Sequence, residues 1–158
     1  MNEAYRQRIK LLPVLGTWTT GSSRTPKDRD KFLKYIVSIT QRYTGKIDAY
    51  EFWNEPNSFA FFKSRISNFC ELLKDAARRV KDVNHQIKMG INISWNFDFG
   101  HPWGLKFIQK VSRGGGLRDV NFIGLHGYPN SWEPGNARTW AERIRVVREF
   151  LDALGVDK

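Results

Sequence analysis

The chain has 158 residues, of which 41% are hydrophobic and 14% aromatic, and this apolar content excludes intrinsic disorder and suits one folded domain. Its single cysteine, Cys70, excludes a scaffold of intrachain disulfides. The net charge of +10 would suit a nucleic-acid ligand if the basic residues were clustered, but they are spread along predicted helix faces. We therefore expect no nucleic-acid partner. We also expect no membrane partner, because no apolar run approaches roughly 18 residues.

The hydrophobic pattern switches repeatedly between the periods of a strand and of a helix. A strand over 9–16 precedes a helix that begins at a capping Thr25 followed by Pro26 and ends at Gly45. A second strand over 47–53 leads to a helix whose apolar stripe covers 69–83. A third strand over 87–95 leads to a short helix over 103–112. A fourth strand over 120–126 precedes a helix with a stripe over 140–154, which ends at Gly155.

Strands that begin near residues 9, 47, 87 and 120 are spaced as in successive βαβ units, which predicts a parallel sheet. An open dinucleotide-binding sheet would carry a glycine-rich turn after its first strand, and residues 17–21 lack that pattern. A complete (β/α)₈ barrel needs about 250 residues. We therefore predict an α/β fold that forms part of such a barrel, with about four βα units in a single domain, 1–158.

Alternation along these strands separates apolar side chains, which face the helices, from polar or small ones, which face the barrel interior. In the second strand, Tyr50 and Phe52 belong to the first set. The interior set contains Glu51, Trp53, Glu55, Asn92, Ser94, Gly124 and His126. Barrel enzymes place their chemistry at the carboxyl ends of the strands. The interior set therefore predicts a site at that end.

The segment 50–57, with the sequence YEFWNEPN, carries the most chemical information. A carboxyl such as that of Glu55, at the mouth of a parallel strand and among aromatic rings, is desolvated, which favours the protonated form that acts as an acid. Asn54 can bind a sugar hydroxyl. Both reach one site only if the strand ends or bulges there, and Pro56 is the predicted cause of that ending.

These residues resemble a known family. The run WNEPN at 53–57, with its preceding strand, resembles the fourth strand of retaining glycoside hydrolases of clan A, most closely family 39, the β-xylosidases and α-L-iduronidases. The segment LLPVLG at 11–16 resembles their third strand, and His126-Gly127-Tyr128 resembles the H-x-Y pattern of their sixth. The resemblance implies a partial barrel from about strand three to helix six, without strands one, two, seven and eight.

The resemblance also implies residue roles. Glu55 matches the general acid/base, and Asn54 matches the residue that binds the hydroxyl next to the anomeric carbon. His126 and Tyr128 match residues that line the sugar site, and Trp18 follows a strand where it can stack on a sugar face. The expected substrate is a glycoside, an oligosaccharide or a polysaccharide. We predict no cofactor and no metal, because no spacing typical of metal ligands is present.

Retaining hydrolysis needs a second carboxylate about 5–5.5 Å from the first. The family supplies it from strand seven, so we expect the nucleophile downstream of Lys158 and an inactive 158-residue chain. At about 3.3 Å per residue, Glu51 lies roughly 13 Å deeper in the barrel than Glu55 and is interpreted as a buried structural carboxyl. Asp98 and Glu133 follow strands and are weaker candidates for the missing group.

A non-enzymatic alternative stays open. Half a barrel has two unpaired sheet edges, which favour self-association, so the chain could instead be a carbohydrate-binding or assembly module. Residues 1–8 are polar and lack the apolar stretch of a signal peptide, but a parent protein would carry any such signal before its first strands, so the localisation is unassigned.

Overall fold

Parallel strands and helices alternate along the chain in a computed structural model that describes residues 2–16, 26, 28–58, 62, 64–94, 103–126 and 137–157. The order of elements is α1 (Asn2–Arg6), β1 (Val14–Leu15), α2 (Arg29–Arg42), β2 (Ala49–Phe52), α3 (Ile66–Val83), β3 (Lys88–Ser94), α4 (Trp103–Arg113), β4 (Phe122–His126) and α5 (Ala137–Ala153). None of the described helices is long and apolar enough to cross a membrane.

The four strands form one sheet in the order β1-β2-β3-β4, and every neighbouring pair is parallel. A doubly wound sheet reverses its strand order at a switch point, whereas a barrel adds each new strand next to the last. The observed order is sequential, with Glu51 opposite Gly90 and Asn92 opposite Gly124. The predicted fold class, an α/β fold of about four parallel βα units consistent with a partial (β/α)₈ barrel, is confirmed.

Two element boundaries differ from the sequence prediction by three residues or more. The first strand pairs only over Val14–Leu15, whereas the apolar run predicted a strand over 9–16. Helix α2 begins at Arg29 and not after Thr25, because the side chain of Asp28 accepts a hydrogen bond from the Lys31 amide at 3.0 Å and caps the helix there. Thr25 itself lies outside the described residues. Helix α1 was not predicted.

The core lies between the sheet and helices α2, α3, α4 and α5. Phe69 of α3 is fully buried and contacts rings on three sides, with centroid separations of 5.6, 5.2 and 5.3 Å to Phe52, Phe62 and Phe107. Cys70 is buried beside it, as expected for a small residue next to the apolar stripe, and burial raises the pKa of its thiol. Strand β2 is therefore packed firmly on its helix side.

Candidate active site

The backbone leaves strand geometry directly after β2. Trp53 and Glu55 both have positive φ angles, 64° and 43°, which non-glycine residues rarely adopt. The amide of Trp53 still donates to the carbonyl oxygen of Leu15 at 2.8 Å, so the chain turns while it remains attached to β1. Local strain of this kind persists only where surrounding contacts hold it, and it is common at functional sites.

This turn corrects two predictions. Trp53 does not share the interior face with Glu51, because its ring packs on the helix side, 5.6 Å from Phe32 and 5.4 Å from Phe62 between centroids. The left-handed φ at Trp53 breaks the alternation on which that prediction depended. In addition, Pro56 does not end the strand, because the strand ends at Phe52.

The side chain of Asn92, from the middle of β3, holds the turned segment in place. Its Oδ1 accepts a hydrogen bond from the backbone amide of Glu55 at 2.6 Å. Its Nδ2 donates to the carbonyl oxygen of Trp53 at 2.8 Å and to Glu51 Oε2 at 3.0 Å. The side chain is fully buried, so these contacts have no competition from water. One amide group thus joins β2, β3 and the segment that carries Glu55.

The side-chain amide of Asn57, two residues after Glu55, makes a similar connection to β3. Asn57 Nδ2 donates to the carbonyl oxygen of Ser94 at 2.8 Å, and Asn57 Oδ1 accepts from the Ser94 amide at 2.9 Å. The pair of bonds continues the pairing of β3 after β2 itself has ended. The loop that contains Glu55 is therefore fixed at both ends by strand β3.

His126, at the end of β4, lies between two carboxylates. Its Nδ1 is 3.0 Å from Glu55 Oε1, and its Nε2 is 3.4 Å from Glu51 Oε2. The carboxylate side chains are 9% and 8% exposed respectively, and that of His126 is 22% exposed. Hydrogen bonds to Glu51 and Glu55 raise the pKa of His126 to about 9, against the opposing effect of burial. The raised pKa favours the imidazolium form, which can donate a hydrogen bond from each ring nitrogen, one toward Glu55 and one toward Glu51.

The position of Glu51 corrects a further prediction. Counting residues along an extended strand placed its carboxyl roughly 13 Å from that of Glu55. In the structure the two carboxylates contact opposite nitrogens of one imidazole, so they are much closer than that. The estimate failed because the chain turns at Trp53 instead of continuing as a strand. The predicted burial of Glu51 is observed, with 6% of the residue exposed.

The structure brings together two of the residues predicted to form the site, Glu55 and His126, which are in contact. Asn54 lies beside Glu55 in the chain and is half-buried. Tyr128 and Trp18 lie outside the described residues, as do Asp98 and Glu133. The connecting role of Asn92 was missed. The signal available was its place on the polar face of an otherwise apolar strand, where a buried amide needs partners.

The described residues also line a groove of about 470 Å³ at the opposite end of the sheet. Leu11, which precedes β1, and Asp48, which precedes β2, line this groove. Tyr5 and Arg6 of α1 line it as well. The groove therefore lies at the amino ends of the strands, whereas Glu55 and His126 lie at the carboxyl ends. Because barrel enzymes place their chemistry at the carboxyl ends, the cluster around Glu55 is the candidate site.

Among the residues that the structure describes, no group of three or more histidine, cysteine, aspartate or glutamate side chains could hold a metal ion. The described side chains at the site are two glutamates, one histidine and the neighbouring amides.

Comparison with known proteins supports the fold. No family model and no curated protein matches the sequence. Among solved structures, the chain is similar to a glucosidase from Croceicoccus marinus, with a TM-score of 0.73 and 20% identity over 98% of this chain and 34% of that one. It is also similar to the GH53 catalytic domain of Ignisphaera aggregans, with a TM-score of 0.59 and 18% identity over 90% of this chain and 43% of that one.

The chain thus spans about a third of the glucosidase and less than half of the GH53 domain. At these identities the likeness shows the fold alone. The fold shared with these two proteins is consistent with the partial (β/α)₈ barrel that the resemblance in the sequence implied.

Proposed function

We propose that the chain is part of a retaining glycoside hydrolase of clan A, similar to family 39, in which Glu55 is the general acid/base. In this proposal it corresponds to barrel strands three to six, and its substrate is a glycoside or a longer saccharide. The observation that carries the proposal is the contact between Glu55, after β2, and His126, at the end of β4, at the carboxyl edge of the sheet.

The chemistry assigns one proton to Glu55 in each half of the reaction. The protonated carboxyl gives its proton to the glycosidic oxygen as the bond to the anomeric carbon breaks, and a separate carboxylate forms the new bond to that carbon. Glu55 then accepts a proton from the water that releases the sugar. Asn54 beside it would bind the hydroxyl next to the anomeric carbon, and Tyr128 and Trp18 would contribute further sugar contacts.

Glu51 is a poor nucleophile for this reaction despite its proximity. The His126 ring lies between Glu51 and Glu55, which leaves no space between the two carboxylates for a glycosidic bond. Glu51 is also bonded to Asn92 and is 6% exposed. We therefore propose that the nucleophile is a glutamate on the next barrel strand, beyond Lys158.

Nuclear magnetic resonance of the 158-residue chain tests the location of the site. Titration with a panel of aryl glycosides and disaccharides is expected to shift the backbone amide signals of residues 54, 55, 57, 58 and 126. The amides around the groove at the other end, near Tyr5 and Lys10, provide the internal control. Shifts confined to that groove, or none with any sugar, would contradict the proposed site.

Two further observations test the enzymatic assignment. The wild-type chain and the Glu55→Gln variant should both fail to hydrolyse aryl glycosides above the rate in buffer. If the wild-type chain hydrolyses them and Glu55→Gln abolishes that activity, the proposal that the nucleophile lies outside the chain is wrong. The coding sequence beyond Lys158 should contain a strand that ends in glutamate within about ten codons, from usual loop and strand lengths. A continuing reading frame without one would contradict the parentage.

An assembly role is the second candidate, because apolar side chains are exposed along the β1 edge. Ile9, Leu12 and Val14 are 54%, 50% and 39% exposed beside a strand that pairs on one side only among the described residues. Size-exclusion chromatography with light scattering separates the candidates. A concentration-independent monomer that binds glycosides favours the glycosidase fragment, and a stable dimer without sugar binding favours assembly.

A further inference from the structure

We propose that Glu51 is a positioning residue for Glu55, acting through His126: the buried Glu51 carboxylate orients the imidazole so that its other nitrogen is presented to the Glu55 carboxylate. The proposal rests on the proposed function for the role of Glu55. It assigns to Glu51 a task that neither its sequence position nor the resemblance specifies.

The geometry gives Glu51 little freedom of its own. Asn92 Nδ2 donates to its Oε2 at 3.0 Å, and the same oxygen is 3.4 Å from His126 Nε2. Gly124 on β4 has no side chain, and the space that a Cβ would occupy there is taken by Glu51 Oε1. A fixed carboxylate at Nε2 restricts rotation of the ring about its own axis. Such second partners are what set the orientation and protonation of functional histidines.

The charges that face His126 come from β2 and the segment after it. Among the described residues, the titratable groups in contact with the ring are Glu51 and Glu55. Asn92 from β3 approaches the same cluster as a neutral amide. Replacing either glutamate by a neutral residue therefore changes the electrostatic balance at the ring directly.

Histidine-labelled 158-residue chain, titrated by nuclear magnetic resonance, tests the proposal. Glu51→Gln keeps the size of the side chain and removes its charge. We expect the pKa of His126 to fall by about one unit or more, and the Nδ1–H signal to exchange faster with water because the ring is no longer fixed. Glu71→Gln is the matched control, since Glu71 pairs with Arg29 on an exposed helix face, and should change neither.

An unchanged His126 pKa together with an unchanged Nδ1–H signal in Glu51→Gln would overturn the proposal. If that variant does not fold, carboxyl carbon shifts of the wild-type chain, assigned through the backbone, replace it. The Glu51 and Glu55 carboxyl signals should then both respond at the pH where His126 titrates, and a Glu51 signal that does not respond would overturn the proposal. If these tests succeed but the chain binds no glycoside, the positioning role of Glu51 is supported and the proposed glycosidase function is contradicted.

Discussion

Asn92 accepts a hydrogen bond from the backbone amide of Glu55 at 2.6 Å, so the residue with the candidate acid is held by a side chain of the neighbouring strand. Glu55 has a left-handed backbone conformation that an isolated chain would rarely adopt. The same Asn92 side chain holds the carbonyl group of Trp53, the other residue with positive φ in this turn. The strained turn and the buried amide therefore depend on each other.

The first prediction concerns Asn92. Asn92→Ala leaves the Glu55 amide, the Trp53 carbonyl and one Glu51 oxygen without this partner, in a site closed to water. We expect the free energy of unfolding to fall by about 3 kcal/mol, because three hydrogen bonds in a buried site are lost at about 1 kcal/mol each. Urea unfolding followed by circular dichroism measures this loss.

Asn84→Ala provides the comparison for that measurement. Asn84 also accepts a hydrogen bond through Oδ1, from the Gln86 amide at 3.0 Å, but in an exposed turn after α3. Its removal should cost no more than about 1 kcal/mol. Equal losses for the two variants would mean that Asn92 has no special role in holding the turn.

The second prediction concerns the ring of Trp53, which is 4% exposed and packs against Phe32 and Phe62. Trp53→Ala should lower the free energy of unfolding by roughly 3–5 kcal/mol, because it removes a large buried ring and leaves a cavity. Tyr35→Ala on α2, where the ring is 49% exposed, should cost far less. Denaturation midpoints of the two variants give the comparison.

The alternation of residue types was sufficient to predict the sheet and most of its faces. Tyr50 and Phe52 are fully buried on the helix side, and Asn92 and Glu51 meet on the other side, as period-two alternation requires. The sequential parallel order follows from the regular spacing of strands and helices. Each of these features depends on local pattern alone.

The turn at Trp53 could not be predicted in the same way. The Trp53 amide donates to the carbonyl oxygen of Leu15 in an earlier strand, and the Trp53 carbonyl oxygen accepts from Asn92 in a later strand. Alternation of residue types gives no information on either hydrogen bond. The interpretation of Glu51 as remote from Glu55 failed for this reason. Non-local contacts decided where the strand ended, and Pro56 did not.

The third prediction is a pH dependence of stability that arises from His126. Its pKa is raised from 6.5 to about 9 on folding, so the folded state binds this proton more tightly than the unfolded state. The resulting stabilisation is complete below pH 6.5 and is lost as the pH rises through 9. Its size is on the order of 3 kcal/mol.

The measurement compares wild-type chain with His126→Gln over that range. The free energy of unfolding of the wild type should decline between pH 6.5 and 9, and that of His126→Gln should decline less by about the same 3 kcal/mol. Parallel pH profiles would show that the folded and unfolded states hold the His126 proton equally well.

The last prediction tests the close packing of β4 against the Glu51 carboxylate. A Cβ at Gly124 would overlap Glu51 Oε1 and lie 3.4 Å from the Cβ of Asn92, so Gly124→Ala forces the carboxylate away from its place beside His126. We expect a loss of about 2 kcal/mol in the free energy of unfolding, as for other overpacked core sites. The pKa of His126 should fall as well, because its contact with Glu51 is weakened.

Gly45→Ala is the control. A Cβ at Gly45 meets no atom within 4 Å, but φ there is +76°. The substitution should therefore lower the free energy of unfolding by about 1 kcal/mol through backbone strain and leave the His126 titration unchanged. A Gly124→Ala chain whose His126 titrates as in the wild type would show that β4 can move away from Glu51, and that the carboxylate is not confined by it.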